Sequence, residues 1–182
     1  MDHRRVFVDR ELLYLFSTDI EFGLNFEQLG LVSLGARFNL FCVSNSTRVY
    51  NVLREREVGA LGYAALSGKL IWGEDASLLG SDDVAIAHVR ATIQTDDGAL
   101  IDATYRGVMP TALGVFRAIA GGVDKIGKPE APAEFRLVVT PTYQTGDSKY
   151  TWLNELQCVG FGRVQEVDGT FRRVTYDIYA MS

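Results

Sequence analysis

The chain has 182 residues and a formal net charge of −5 at neutral pH, with 47% hydrophobic and 23% charged residues. That length suits a single domain spanning 1–182 with a substantial core, and the composition is that of a globular protein. The acidic balance argues against a phosphate-binding surface, so no nucleic-acid partner is expected, and no apolar run approaches membrane-spanning length, so no membrane partner is expected either.

The opening residues, MDHRRVFVDRE, contain no apolar signal segment, which leads to the expectation of a cytoplasmic protein. Glu11 to Thr18 is apolar and aromatic and reads as a first strand. Asp19 to Gly30 reads either as its continuation or as a loop. Gly35 to Val43 alternates, with Arg37, Asn39 and Phe41 on one side and Phe38, Leu40 and Cys42 on the other. Thr47 to Leu53 and Ala60 to Trp72 give further strand material. Trp72-Gly73-Glu74-Asp75 closes that block and leads into a polar loop, Ser77 to Asp83.

Val84 to Val108 is the best-specified stretch. Two strand-forming runs flank Asp97-Gly98, a strong hairpin signal because a type I′ turn needs positive φ at both central residues. A two-residue loop at Asp97-Gly98 places Arg90 opposite Tyr105, His88 opposite Gly107 and Thr92 opposite Ala103. The face carrying His88 and Arg90 is then either a solvated outer surface, the commoner fate of an arginine, or a polar patch lining a cavity.

Beyond the hairpin, Pro110 and Thr111 can start a helix, and Leu113, Phe116, Ile119 and Ala120 form an apolar stripe at helical spacing before Gly121-Gly122 stops it. Residues 121–134 read as a loop. Glu134 to Tyr143 returns to period two, Gln144 to Tyr150 is a polar turn, and Leu156 to Val167 with Thr170 to Met181 form a last hairpin around Asp168-Gly169. Eight or more strands with regularly spaced turns point to an all-β antiparallel sheet, closed into a barrel in preference to a sandwich, because closure removes exposed edges and supplies an interior. One short helix in a long loop completes the expected architecture.

No nucleophile elbow, phosphate-binding loop or dinucleotide fingerprint occurs, so no cofactor is expected. Two histidines, His3 and His88, are too few for a His-rich metal site, and no metal is expected. The acid pairs Asp82-Asp83 and Asp96-Asp97 sit at turns, which explains them better than acid–base work. Cys42 and Cys158 lie in apolar, strand-like surroundings without metal-ligand spacing and read as buried free thiols. Trp72 and Trp152 are more often core aromatics than ligand stackers.

Several pieces, taken in order, carry a resemblance: Gly35-Ala36-Arg37, Leu66-Ser67-Gly68 leading to Glu74-Asp75, Arg90, Thr95 to Ile101, Tyr105 to Val108, Phe135-Arg136 and Tyr150 to Asn154. Over residues 12–181 the chain resembles the lipocalin-like barrel family known as "domain of unknown function 3237". The resemblance implies a closed, lipocalin/calycin-like β-barrel with a central cavity, and no settled reaction. Where that family often has an acid two residues before the arginine, this chain has His88.

The functional expectation is a cofactor-independent enzyme, of isomerase, cyclase or lyase type, acting on a small, partly apolar organic molecule held in the barrel. Arg90 or Arg37 would hold a carboxylate or enolate oxygen. Asp75 or His88 would move the proton, and Tyr105 and Asn154 would donate hydrogen bonds to developing negative charge. Trp72 and Trp152 would wall the pocket. The same cavity used only for binding is the alternative, a filled structural barrel the third reading, and a homo-oligomer stays open.

Overall fold

The computed structural model describes residues 12–32, 35–42, 48–50, 66–79, 84–110, 136–167 and 170–181, with side chains described for 12–20, 66–78, 84–109, 137–163 and 174–181. Nine strands occur among them: β1 (Leu12–Val32), β2 (Gly35–Cys42), β3 (Arg48–Tyr50), β4 (Gly68–Leu79), β5 (Val84–Thr95), β6 (Leu100–Pro110), β7 (Arg136–Gln144), β8 (Cys158–Val167) and β9 (Thr170–Met181). All belong to one antiparallel sheet that curls into a barrel-like form. β1 pairs with β9 along one edge and with β2 and β3 along the other, while β2 and β3 both pair with β4.

The expected helix around 111–120 lies outside the described residues. The helical element within them is a short 3-10 turn, Thr151–Glu155, anchored by the buried Leu153. Among the described residues no helix is long and apolar enough to cross a membrane.

Alternation decides which face is buried. In β5 the odd positions Ala85, Ala87, Val89, Ala91 and Ile93 are buried, and in β6 Ile101, Ala103, Tyr105 and Met109. Each inner position meets an inner position across the ladder, as Val89 meets Tyr105 and Tyr105 meets Pro141. β9 contributes Val174, Tyr176, Ile178 and Ala180 to the same core. Space for the larger inner side chains comes from glycine: a Cβ on Gly162 would come within 2.6 Å of the Tyr176 ring, and one on Gly160 within 2.6 Å of Val139. The outer face mixes polar positions with an exposed row, Ile86, Val108, Val138 and Phe161, that follows the hydrogen-bond register across four strands.

β4 differs from the sequence expectation. The strand does not end at Trp72 but runs on through Leu79, across the stretch expected to become a loop. Gly73, Asp75 and Ser77 alternate inward and are buried, so the polar character that suggested a loop belongs to the inner face.

Candidate functional site

The loop between β5 and β6 sets the geometry of everything that follows. Gly98 N–H donates to the Thr95 carbonyl at 2.9 Å, Thr95 N–H donates to the Ala99 carbonyl at 2.9 Å, and Gly98 holds φ +95°. The loop therefore has three residues, Asp96, Asp97 and Gly98, in the arrangement of a tight turn followed by a left-handed glycine. Asp-Gly suits both this loop and the two-residue one. The register shifts by one residue as a result, and a one-residue shift exchanges faces.

Arg90 and Tyr105, expected side by side, are thereby separated. Arg90 pairs with Thr104 and is exposed on the outer face, whereas Tyr105 pairs with Val89 and is buried on the inner face. His88 pairs with Arg106 and also faces outward, half-buried. Trp72 is 46% exposed and does not wall the interior. Asn154 is exposed as well: its Oδ1 accepts from Thr145 N–H at 2.8 Å and its Nδ2 donates to the Thr145 carbonyl at 2.9 Å, so it fastens a loop. Trp152 is half-buried and packs against the core. Arg37 pairs in backbone register with Leu78 and Gly30, and its side chain lies outside the described residues.

Asp75, like Tyr105, is an expected site residue that the interior does hold. It sits on the inner face of β4, opposite Val89, and is 8% exposed. Its Oδ1 accepts from Ser77 Oγ at 2.9 Å and from the His88 backbone N–H at 3.1 Å. The β4–β5 ladder is not paired between Asp75 and Leu78, and the carboxylate supplies the acceptor that His88 N–H would otherwise find on the neighbouring strand. Burial pushes the carboxyl up to about 6, against the two hydrogen bonds from Ser77 and His88. Val89 stands between Asp75 and Tyr105 in one cross-strand row, which sets their backbones roughly 10 Å apart, two strand spacings.

Next to this row the inner side chains enclose a cavity of about 20 Å³, with Leu70, Ile93 and Ile178 among its apolar walls. Thr18, Tyr105, Tyr143 and Tyr176 are the hydroxyl-bearing residues of its lining. Tyr105 and Tyr176 meet edge to face at 5.7 Å, and Tyr143 meets Phe16 the same way at 5.4 Å. Burial holds the Tyr143 hydroxyl well above the ordinary phenol range. Sequence reasoning passed over Thr18, Ser77, Tyr143 and Tyr176. The available signal was parity: each falls on the inward position of its strand, visible only once the register is known.

A second cluster lies at the loop end of the hairpin. Thr95 Oγ1 accepts from Ala99 N–H at 2.8 Å and donates to Asp97 Oδ1 at 2.6 Å. Asp97 also pairs with Lys149 and accepts from the Tyr150 hydroxyl at 3.0 Å. The hydrogen bond from Lys149, helped by that from Thr95, holds the Asp97 carboxyl down to about 2. Ser67 Oγ donates to Asp96 Oδ2 at 2.6 Å. Three of the stretches behind the family resemblance, around Ser67, Asp97 and Tyr150, thus meet in space and hold one another. Their side chains fix loops here, as their turn positions suggested for the two acids.

These features define a class: an antiparallel, barrel-like β protein with a small, mostly apolar interior cavity and a buried carboxyl near it. Within it, the chain belongs to the family described as protein of unknown function (DUF3237), whose model matches residues 45–181. Among curated protein sequences nothing matches. Solved structures do. A beta-barrel-like protein from Acinetobacter baumannii AYE is similar at 22% identity and a TM-score of 0.70, covering 95% of this chain and 96% of that one. A protein with unknown function from Clostridium acetobutylicum ATCC 824 is similar at 19% identity and a TM-score of 0.71, covering 96% and 100%. An enzyme from Penicillium herquei is similar at 17% identity and a TM-score of 0.60, covering 95% of each chain. At such identities the likeness establishes the fold.

Proposed function

We propose that the protein is a cofactor-independent enzyme that moves a proton on a small, partly apolar organic molecule held inside a closed barrel. The circuit of strand pairings through β1, β9 and β4 supports the closure. The observation that carries the reading is Asp75. One of its oxygens is fixed by Ser77 and by the His88 amide, and Oδ2 makes no hydrogen bond among the described residues. A carboxyl fixed in this way, with its proton affinity raised toward neutral pH, is suited to take a proton from carbon and return it. Tyr105, in the same inner row and at the cavity wall, would donate to the oxygen on which negative charge develops. Isomerisation, cyclisation and elimination all begin with such a step. Arg90 and His88 have no part in this interior chemistry because they face outward.

The likeness to a chain described as an enzyme is consistent with catalysis and says nothing of this chain's reaction. The apolar cavity walls favour one alternative, a binding barrel without chemistry.

The test is solvent-deuterium incorporation, read by NMR, into a panel of ketones, diketones and keto acids. The parent is expected to exchange an α-proton of at least one compound, and Asp75→Asn to lose that exchange while remaining folded. Exchange by the variant at the parent's rate would exclude Asp75, and a parent that exchanges nothing in the panel but binds members of it would leave the binding barrel.

A further inference from the structure

Thr18 stands on the inner face of β1, directly opposite Tyr176 of β9. It is 5% exposed, and its hydroxyl has no hydrogen-bond partner among the described residues. A hydroxyl removed from water without a partner is unfavourable, and buried polar groups in folded proteins are nearly always satisfied. Thr18 is one of the residues that line the interior cavity, together with Tyr105, Tyr143 and Tyr176 and otherwise apolar side chains. Among the described residues no charged side chain lines that cavity. Arg90, one of the two cations expected to serve it, lies on the outer face, and the side chain of the other, Arg37, lies outside the described residues.

An interior of this kind discriminates by charge. A carboxylate entering it would lose its hydration and meet no cation, whereas a neutral carbonyl or hydroxyl oxygen would lose little and gain a donor. Tyr143 stays protonated because burial disfavours its anion, so it too presents a neutral group. We propose that the cavity at Thr18 receives the uncharged oxygen of a ligand, that of a ketone, an ester or an alcohol, and excludes carboxylates. The proposal rests on the reading of the interior as the ligand site, and it replaces the anionic substrate that an inward arginine would have implied.

The cavity as it stands has room for a water molecule or one small group, so the probes must be small. Acetone and acetate have equal heavy-atom counts and differ in charge. Titrated into the ¹³C-methyl-labelled full chain, acetone is expected to shift the Thr18 and Ile178 methyl signals saturably, and acetate to leave them in place. Thr18→Val keeps the shape and removes the hydroxyl, and it is expected to weaken acetone binding about tenfold, the loss of one hydrogen bond. Thr18→Ser, which restores the hydroxyl, is expected to bind as the parent does and guards against a loss caused by packing.

Acetate binding as tightly as acetone would overturn the charge selection, and acetone binding unaltered in Thr18→Val would overturn the assignment to Thr18. Either result leaves the interior as a ligand site. If neither probe moves any interior methyl of the folded parent, the ligand-site reading falls and this proposal with it, and the cavity is a water site.

Discussion

Arg90 and Tyr105 belong to the same hairpin and lie on opposite faces of it: Tyr105 points into the core across from Val89, and Arg90 points to solvent across from Thr104. The separation has an energetic signature. Removal of an exposed arginine without an ion pair among the described residues is expected to change stability by no more than about 0.5 kcal/mol. Tyr105→Ala removes a buried ring that packs on Tyr176 and is expected to cost about 3–5 kcal/mol. Urea denaturation of Arg90→Ala and Tyr105→Ala measures both. A large loss in the arginine variant would contradict the register.

The three-residue loop makes its own prediction. Gly98 sits at φ +95°, where a side chain is strained although no atom of the described residues lies within 4 Å of its Cβ position. Gly98→Ala is therefore expected to destabilise by about 1 kcal/mol through the backbone alone. Thr95→Val removes the hydroxyl that serves both Ala99 N–H and Asp97, and an additional loss of about 1–2 kcal/mol is expected for the donor left buried. A two-residue loop would not give Thr95 this role, so an unchanged midpoint in Thr95→Val would count against the assignment.

The strands were legible in the sequence because period-two alternation writes one face directly. β5, β6, β7 and β9 fall where the pattern puts them. Register was not legible, because Asp97-Gly98 is compatible with loops of two or three residues. The choice is made by contacts distant in sequence, those of Asp97 with Lys149 and Tyr150. The second half of β4 was not legible either. Gly73, Asp75 and Ser77 are polar or small because they face an interior that is not wholly apolar, and local composition alone reads as a loop. Asp75 stood beside His88 as a candidate for proton transfer, and its inner position and its partners, Ser77 and the His88 amide, become visible only when the strand is continued. Thr18 was hidden in the polar triplet Ser17-Thr18-Asp19 that ends an apolar run.

Cys158 is buried and free, and burial pushes its thiol up to about 11. Since the thiolate is the reactive form, modification by an aromatic disulfide reagent at pH 8 is expected to be slow in the native protein, with the Cys158 signal appearing only on denaturation. Mass mapping of the labelled peptides separates Cys158 from Cys42, whose side chain lies outside the described residues. Rapid native labelling of Cys158 would show that the β8–β9 edge of the core opens readily.

Asp75 supplies the sharpest prediction because stability and activity should move in opposite directions. Its carboxyl is raised from an ordinary 3.8 to about 6, so between those values the folded chain binds a proton that the unfolded chain has lost. Stability from this group is fully present below about pH 4, declines as pH rises through 6, and is flat above. A shift of about two units corresponds to roughly 3 kcal/mol as an upper bound. Asp75→Asn keeps an acceptor for Ser77 Oγ and the His88 N–H and removes the charge. The variant is expected to be more stable than the parent at pH 8, by up to about 3 kcal/mol, and equal to it near pH 4. Urea midpoints at the two pH values measure the difference. Deuterium exchange by the parent should rise with pH through an inflection near 6, as the carboxylate forms, and be absent from the variant at every pH. A variant less stable than the parent at pH 8 would mean that the ionised carboxylate is satisfied by partners stronger than Ser77 and His88. An activity profile without an inflection near 6 would remove Asp75 from the proton-transfer step whatever its effect on stability.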